Sequence, residues 1–330
     1  MTVNVVTDTT TVPGKIIKKF TTNLAAGGGK DTTTWVCPMG VTSIQVLLVA
    51  GGGGGGTAIR NGKEASGGGG AGGMRSLTLT TIPGTVYNIG VGAGGSTNNN
   101  GSNSQFDTYI ATGGGRGGTQ SSTYGSFNKG ADGGCGGGHA HSNTNYGAAS
   151  GNTPSTTPSQ GYNGGTPPYE SASSPSYRSS SGGGAGGAGG THGGTGALSS
   201  ITGVSTRYAG GGGRGYMSYY TTKGGSGGSG GGGNGAYTSD NSPYWFNGSA
   251  GTNGLGGGGG GGVGNASSGI TGYPGGSGVV ILQYDDIKVA LVKEMVDVAT
   301  PEPSANEILV QERENQVVGS GNLVVMEVQT

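Results

Sequence analysis

VTSIQVLLVAGGGGGG, residues 41–56, joins two opposite kinds of chain. Its first half is apolar at nearly every place after Gln45, the pattern of a β-strand covered on both faces. Its second half has no side chain to bury. Glycine loses more backbone entropy on ordering than any other residue, so a glycine run must be held by neighbouring backbone. The question recurs along the whole chain, because glycine fills 84 of 330 positions, with further runs at 210–213 and 256–262. Such a composition without a strict collagen triplet ordinarily reads as low complexity.

An extended helix of three residues per turn, packed against its like, is the alternative. In residues 182–194 (GGGAGGAGGTHGG), Ala185, Ala188 and Thr191 recur every third place. Ser226 and Ser229 do the same within residues 223–234. A flexible linker needs no such phase. Packed polyglycine helices should keep these residues on the outer face.

Strands are expected where glycine recedes: residues 3–6, 16–20 and 35–36, 41–50, 76–81, 86–91 and 278–284 (GVVILQY). The strongest lie at the two ends of the glycine-rich region, and their pairing in one sheet would tie the middle down as an inserted bundle. The fold expected is mainly β with much irregular structure. Terminal strands would form a small sheet or sandwich enclosing a polyglycine-II-like bundle, with essentially no helix in the body. Charge divides the chain further. Residues 1–284 hold 13 Lys/Arg and 7 Asp/Glu, whereas residues 285–330 hold 3 and 9. Three parts are expected: an N-terminal attachment arm (1–19), a glycine-rich domain (20–284) and an acidic β appendage (285–330), whose strand-like segments would pair with another copy or component.

The net charge of zero lacks the basic footprint of nucleic-acid binding. No apolar run reaches the roughly 20 residues of a membrane span, and the N-terminus shows no signal pattern. Cys37 and Cys135, the only cysteines, read as free thiols. GxGxxG matches are unavoidable at this glycine content, and Gly29-Lys30-Asp31 breaks the phosphate-loop pattern. Asp107, Asp132, Glu170 and Asp240 stand singly, so no enzyme activity and no cofactor is expected. Cys135, His139 and His141 fall within seven residues, and a His-x-His pair on a strand would be a partial metal site. With no fourth ligand in reach and Gly/Ser/Asn around them, solvent-exposed histidines are the favoured reading.

Three motifs together resemble a known family. Trp35-Val36-x-Pro38-x-Gly40-Val41-Thr42 leads into the strand and six glycines. Ile82-Pro83-Gly84-Thr85-x-Tyr87-x-Ile89-x-Val91-Gly92-x-Gly94-Gly95 follows, and Gly276-x-Gly278-Val279-Val280-Ile281-x-x-Tyr284 closes the body. This order resembles the glycine-rich domain of bacteriophage tail proteins. The middle is similar to the small distal tail-fibre adhesins of T-even phages, in which polyglycine tracts alternate with receptor-binding loops. The resemblance implies a virion protein on a tail fibre or other appendage, made in the host cytoplasm. Its partners would be a host cell-surface glycan or outer-membrane protein and other virion proteins. A homo-oligomer, a trimer by analogy with other fibres, is expected.

Ten of the 15 tyrosines lie between residues 146 and 244, among Ser, Asn and Gly. Antibody binding loops share that composition, since Tyr offers contact area at small entropic cost. Tyr216, Tyr219, Tyr220, Tyr244, Trp245 and Phe246 are the receptor-binding candidates. Packing of these aromatics against the bundle is the competing reading. Two other functions stay open: a decoration or fibre-shaft protein without receptor specificity, and an ice-binding polyglycine protein.

Overall fold

The computed structural model describes residues 3–58, 64–119, 129–141, 148–167, 176–218, 223–239, 245–264 and 269–287. The appendage expected over residues 285–330 thus lies almost wholly outside the described residues. The first strands are β1 (Asn4–Asp8), β2 (Lys15–Thr21), β3 (Lys30–Val36), β4 (Ser43–Val49), β5 (Glu64–Ala65) and β6 (Met74–Thr80). Then come β7 (Val86–Gly92), β8 (Ser104–Phe106), β9 (Tyr109–Ala111), β10 (Ser176–Arg178), β11 (Ala197–Ser199) and β12 (Thr206–Tyr208). The last are β13 (Tyr216–Ser218), β14 (Tyr237–Ser239), β15 (Trp245–Phe246), β16 (Val263–Gly264), β17 (Gly269–Ile270) and β18 (Val279–Asp285). The short strands from β8 to β17 carry too few residues for a legible alternation.

β18 lies between β2 and β4, with Val280 opposite both Phe20 and Leu48. The ends of the glycine-rich region therefore pair in one sheet, as strand placement predicts. The full order is β1-β2-β18-β4-β6, antiparallel throughout. The N-terminal stretch is built into this sheet through β1 and β2. A second antiparallel sheet, β3-β7-β8-β9, packs across it. Phe20, Ile44, Val46, Leu48, Val280, Leu282 and Tyr284 meet Trp35, Ile89, Val91 and Phe106 between the sheets. The Trp35 ring sits 5.5 Å from Tyr284 and 6.2 Å from Phe106, centroid to centroid, an aromatic node joining both sheets. The chain enters β4 through a turn in which Val41 donates to the Pro38 carbonyl at 3.1 Å. Gly40 there has φ +84°, a conformation that side chains rarely adopt.

Period-2 alternation sends Leu47, Val49, Val279 and Ile281 to the other face of the first sheet. Ala71, Cys135 and Ala209 of the glycine tracts cover them, with Ile201 and Tyr208 of the β11–β12 hairpin. Burial on both faces, expected from residues 46–50, is what the structure shows: Val46, Leu47, Leu48 and Val49 are all fully buried.

Beyond β4 the backbone becomes a polyglycine helix, and its hydrogen bonds show why. Gly51 donates to Ser102 and Gly54 to Asn99; Gly52 donates to Gly276 and Gly55 to Tyr273; Gly53 donates to Gly70 and Gly56 to Gly67. Each neighbour is met at every third residue, as three residues per turn require. The partners descend in number, so these three neighbours run antiparallel. The carbonyls serve three more. Gly51 and Gly54 accept from Gly114 and Gly117, Gly52 and Gly55 from Gly95 and Asn98, and Gly53 and Gly56 from Gly259 and Gly262, all parallel. One tract thus has six hydrogen-bonded neighbours and no unmet backbone group.

A Cβ added at almost any bundle glycine would fall inside the van der Waals radius of a neighbouring carbonyl oxygen: Gly257 for Gly52, Gly115 for Gly53, Gly53 for Gly69. Here glycine is required by space, not by dihedral angle. The periodic residues face outward as expected: Ala188, Thr191, Ser226 and Ser229 are exposed. Ala185 differs, packing partly buried against the sheet cluster.

Gly53→Ala should destabilise the protein by about 3 kcal/mol or more, because neither backbone can move away from its six neighbours. Ala188→Ser, on the open face, should change stability by less than about 0.5 kcal/mol. Chemical denaturation of the two variants checks both.

Candidate functional site at the loop end of the bundle

The tracts run between two ends. One is the sandwich, where β4, β6, β7 and β18 begin or finish. At the other, β5, β10 and β13 to β17 come together by strand pairing, and the His141 amide joins them by donating to the Ala65 carbonyl at 2.8 Å. Two small sheets form there: β10-β13-β14-β15 and β17-β16-β5. They share an apolar base of Met217, Ala236 and Val263, with Ile270 and Tyr273 packed against it.

Within the four-stranded sheet, pairing places Arg178 opposite Tyr216, Tyr216 opposite Tyr237 and Tyr237 opposite Phe246. Period 2 puts this row on one face of the sheet and Met217 and Thr238, both buried, on the other. Tyr237 and Phe246 stack with centroids 4.3 Å apart and planes 6° apart. The Arg214 guanidinium lies 5.2 Å over the Tyr216 ring, a cation–π geometry, and donates to the Ser179 carbonyl at 3.2 Å.

The expected binding residues therefore divide. Tyr216 is only 5% exposed, so it supports the row from within and does not itself reach a receptor. Phe246 is 48% exposed. Trp245 is in β15 beside it, opposite Thr238. Tyr219, Tyr220 and Tyr244 lie outside the described residues. The structure adds Tyr237, Arg178 and Arg214, which sequence reasoning missed. A local echo could have found Tyr237: Gly215-Tyr216-Met217-Ser218 and Ala236-Tyr237-Thr238-Ser239 share the order small, Tyr, any, Ser.

The histidines correct another expectation. His139 is fully buried, not solvent-exposed. Its Nδ1 accepts from the Gly130 amide at 2.9 Å, and its own amide donates to Ser180 Oγ at 2.7 Å. A ring nitrogen occupied by a backbone amide has no lone pair for a metal. His141 donates its amide to Ala65, and burial pushes its imidazole pKa below the usual value. No group of three or more metal-ligating side chains forms among the described residues.

Cys37 and Cys135 are both buried free thiols. Cys135 sits within the bundle with its sulfur toward the Gly72 carbonyl at 3.7 Å. Burial pushes its pKa up to about 12. The Asp31 carboxylate, 7% exposed, is satisfied by Thr22 Oγ1 at 2.5 Å.

A family model described as a glycine-rich domain matches residues 25–285. The chain belongs to the glycine-rich domain family. No curated protein matches it. The matched span runs from just after β2 to the last residue of β18, so it takes in β3 to β18 with the glycine tracts between them and leaves out β1 and β2 of the first sheet.

Between about pH 9 and 12 the unfolded thiol of Cys135 loses its proton while the folded one keeps it. The unfolded state then binds fewer protons, so stability falls with rising pH, by up to about 1.4 kcal/mol per pH unit. Cys135→Ala should lose that component of the slope. Denaturation midpoints of both proteins across pH 8–11 check it, and equal slopes would contradict the assignment.

Proposed function

We propose that this glycine-rich protein is a bacteriophage virion adhesin, carried on a tail fibre or other appendage, which engages a host-surface receptor with the loop end of its bundle. One observation carries the reading. Nearly all the regular structure serves to bring successive segments out to a single end and back, and that end bears a cross-strand aromatic row. A rigid scaffold that presents its connections at one end is the usual architecture of a binding protein.

Two further features support it. The opposite end of the sandwich exposes Val36, Met39, Ile82 and Val86, at 57%, 77%, 67% and 56%. Val36 and Val86 are a cross-strand pair, and such an apolar patch suits contact with another virion protein. The resemblance of residues 20–284 to phage tail domains agrees with a place on the virion. The ice-binding alternative would use a broad, regular outer face, and the described outward periodic positions, Ala188, Thr191, Ser226 and Ser229, come from two tracts only.

Antibody-gold electron microscopy against residues 20–284 on particles from the source should place label at fibre or appendage tips. Label along a shaft or over the head would make the protein architectural, and absence of label would remove the virion reading.

A further inference from the structure

The two sheets of the sandwich end in four strands, and three of these carry the devices that keep a sheet edge from pairing with another chain. β1 ends in Asp8, β3 opens with Lys30 and the inward Asp31, and β9 is three residues long. β6, the remaining edge, has none of them. Its register against β4 runs unbroken through seven pairs, without a bulge. Residues 76–80 read SLTLT, free of charge and of proline. The Arg75 guanidinium donates to the Ile110 carbonyl of β9 at 2.9 Å and ties the strand to the second sheet.

The direction of the β6 backbone is fixed at both ends. Gly73 accepts from Ala50 and Thr81 donates to Thr42, both toward β4, whereas the Met74 amide turns away to the Gln160 carbonyl at 2.8 Å. Backbone groups alternate in side along an antiparallel strand. Those of Ser76, Thr78 and Thr80 therefore point away from β4, as at Met74, and these three residues are exposed.

We infer that this edge is an interface with a second copy of the chain, β6 pairing antiparallel with its counterpart about a two-fold axis at Thr78. The edge is complementary to itself. With Thr78 opposite the partner's Thr78, Ser76 falls opposite the partner's Thr80 and Leu77 opposite the partner's Leu79. Hydroxyl meets hydroxyl and leucine meets leucine. Ser76, Thr78 and Thr80 are the outward residues on both strands, so they form hydrogen-bonded pairs, each exchanging two bonds.

The same register ends the pairing where the structure leaves no room for more. The place opposite Met74 is taken by the Gln160 segment. There the partner's chain turns off at its Ile82-Pro83-Gly84 turn, where Gly84 has φ +77°. Beside Met74 lies a mainly apolar cleft of about 180 Å³, lined by Met74, Leu77, Pro158, Ala185 and Ala197. The partner's Ile82, 67% exposed in the single chain, falls at the register position of Met74 and fills that cleft. An unrelated strand could use the edge amides, but it would not account for the matched hydroxyl and leucine positions. An edge paired with itself closes after two copies, so the assembly is a dimer instead of the trimer that the fibre analogy implies. The contact leaves the loop end free, so it stands or falls apart from the adhesin reading.

The test is the mass of the purified full chain, by sedimentation across a concentration series, combined with cysteine cross-linking. The chain should sediment as a dimer. Thr78→Pro should weaken the dimer roughly tenfold or more, since it removes both bonds at the axis. It should leave the fold intact, because the Thr78 amide makes no bond to β4. Thr78→Cys should cross-link to its own copy under mild oxidation, the facing Cα atoms of such a pair being about 5.5 Å apart. Ser76→Cys, which faces the partner's Thr80, should not link to its own copy. The native thiols of Cys37 and Cys135 are buried and do not compete. A chain that stays monomeric, or forms a trimer, would overturn the inference. So would a dimer in which Thr78→Cys fails to link, or in which Ser76→Cys links equally well. Should Thr78→Pro fail to fold, the pair of cysteine variants still decides.

Discussion

The constraint on which everything else depends is the distance between a glycine Cα and the carbonyl oxygen of the adjacent tract. At Gly52, Gly53, Gly55 and Gly69 the hydrogen that stands where a Cβ would be points at such an oxygen. This close approach lets each amide and each carbonyl of residues 51–56 find a partner on a different neighbour, at 2.8 to 3.1 Å. A net gain of about 1 kcal/mol for a typical hydrogen bond is comparable with the roughly 1–2 kcal/mol needed to fix a residue's backbone. The bundle is therefore balanced on complete hydrogen bonding and close packing, with almost no side-chain burial of its own. Weak Cα–H···O contacts add to that balance at the same positions.

Such a bundle needs an anchor of a different kind, and the sandwich provides one. β4 and β18 bring the first and last tracts side by side, and their outward faces pack on Ala71, Cys135 and Ala209 within the tracts. The aromatic node of Trp35, Phe106 and Tyr284 joins the two sheets, so the apolar core lies at one end while the backbone lattice extends from it. At the far end, Met217, Ala236 and Val263 form a second, smaller apolar base. The strands at this end are thus held by both lattice and core.

Much of this architecture was legible in the residues. The apolar run 46–50 announced a strand buried on both faces, and GVVILQY announced its partner. The triplet phase of Ala188, Thr191, Ser226 and Ser229 announced helices of three residues per turn and the side that faces solvent. Other features had no local signature. β8 to β17 are two or three residues long, so no periodicity can reveal them, and their pairing is set by where the lattice places them. His139 looked exposed because its neighbours are glycines and alanine, yet in a lattice without side chains a lone imidazole fills a buried gap and satisfies a backbone amide. Tyr216 looked like a binding residue for the same compositional reason as Phe246. Only the strand order, with β13 inside and β15 at the edge, separates the supporting ring from the exposed one.

The most direct measurement of the central claim is native-state hydrogen exchange of the glycine amides in residues 51–56, 67–72 and 258–262. A six-neighbour lattice predicts that these amides exchange only through global unfolding, as slowly as those of β4 and β18. Exchange near unfolded-chain rates in the glycine runs, with protection confined to the sandwich, would contradict the lattice and reduce the glycine-rich middle to a tethered coil.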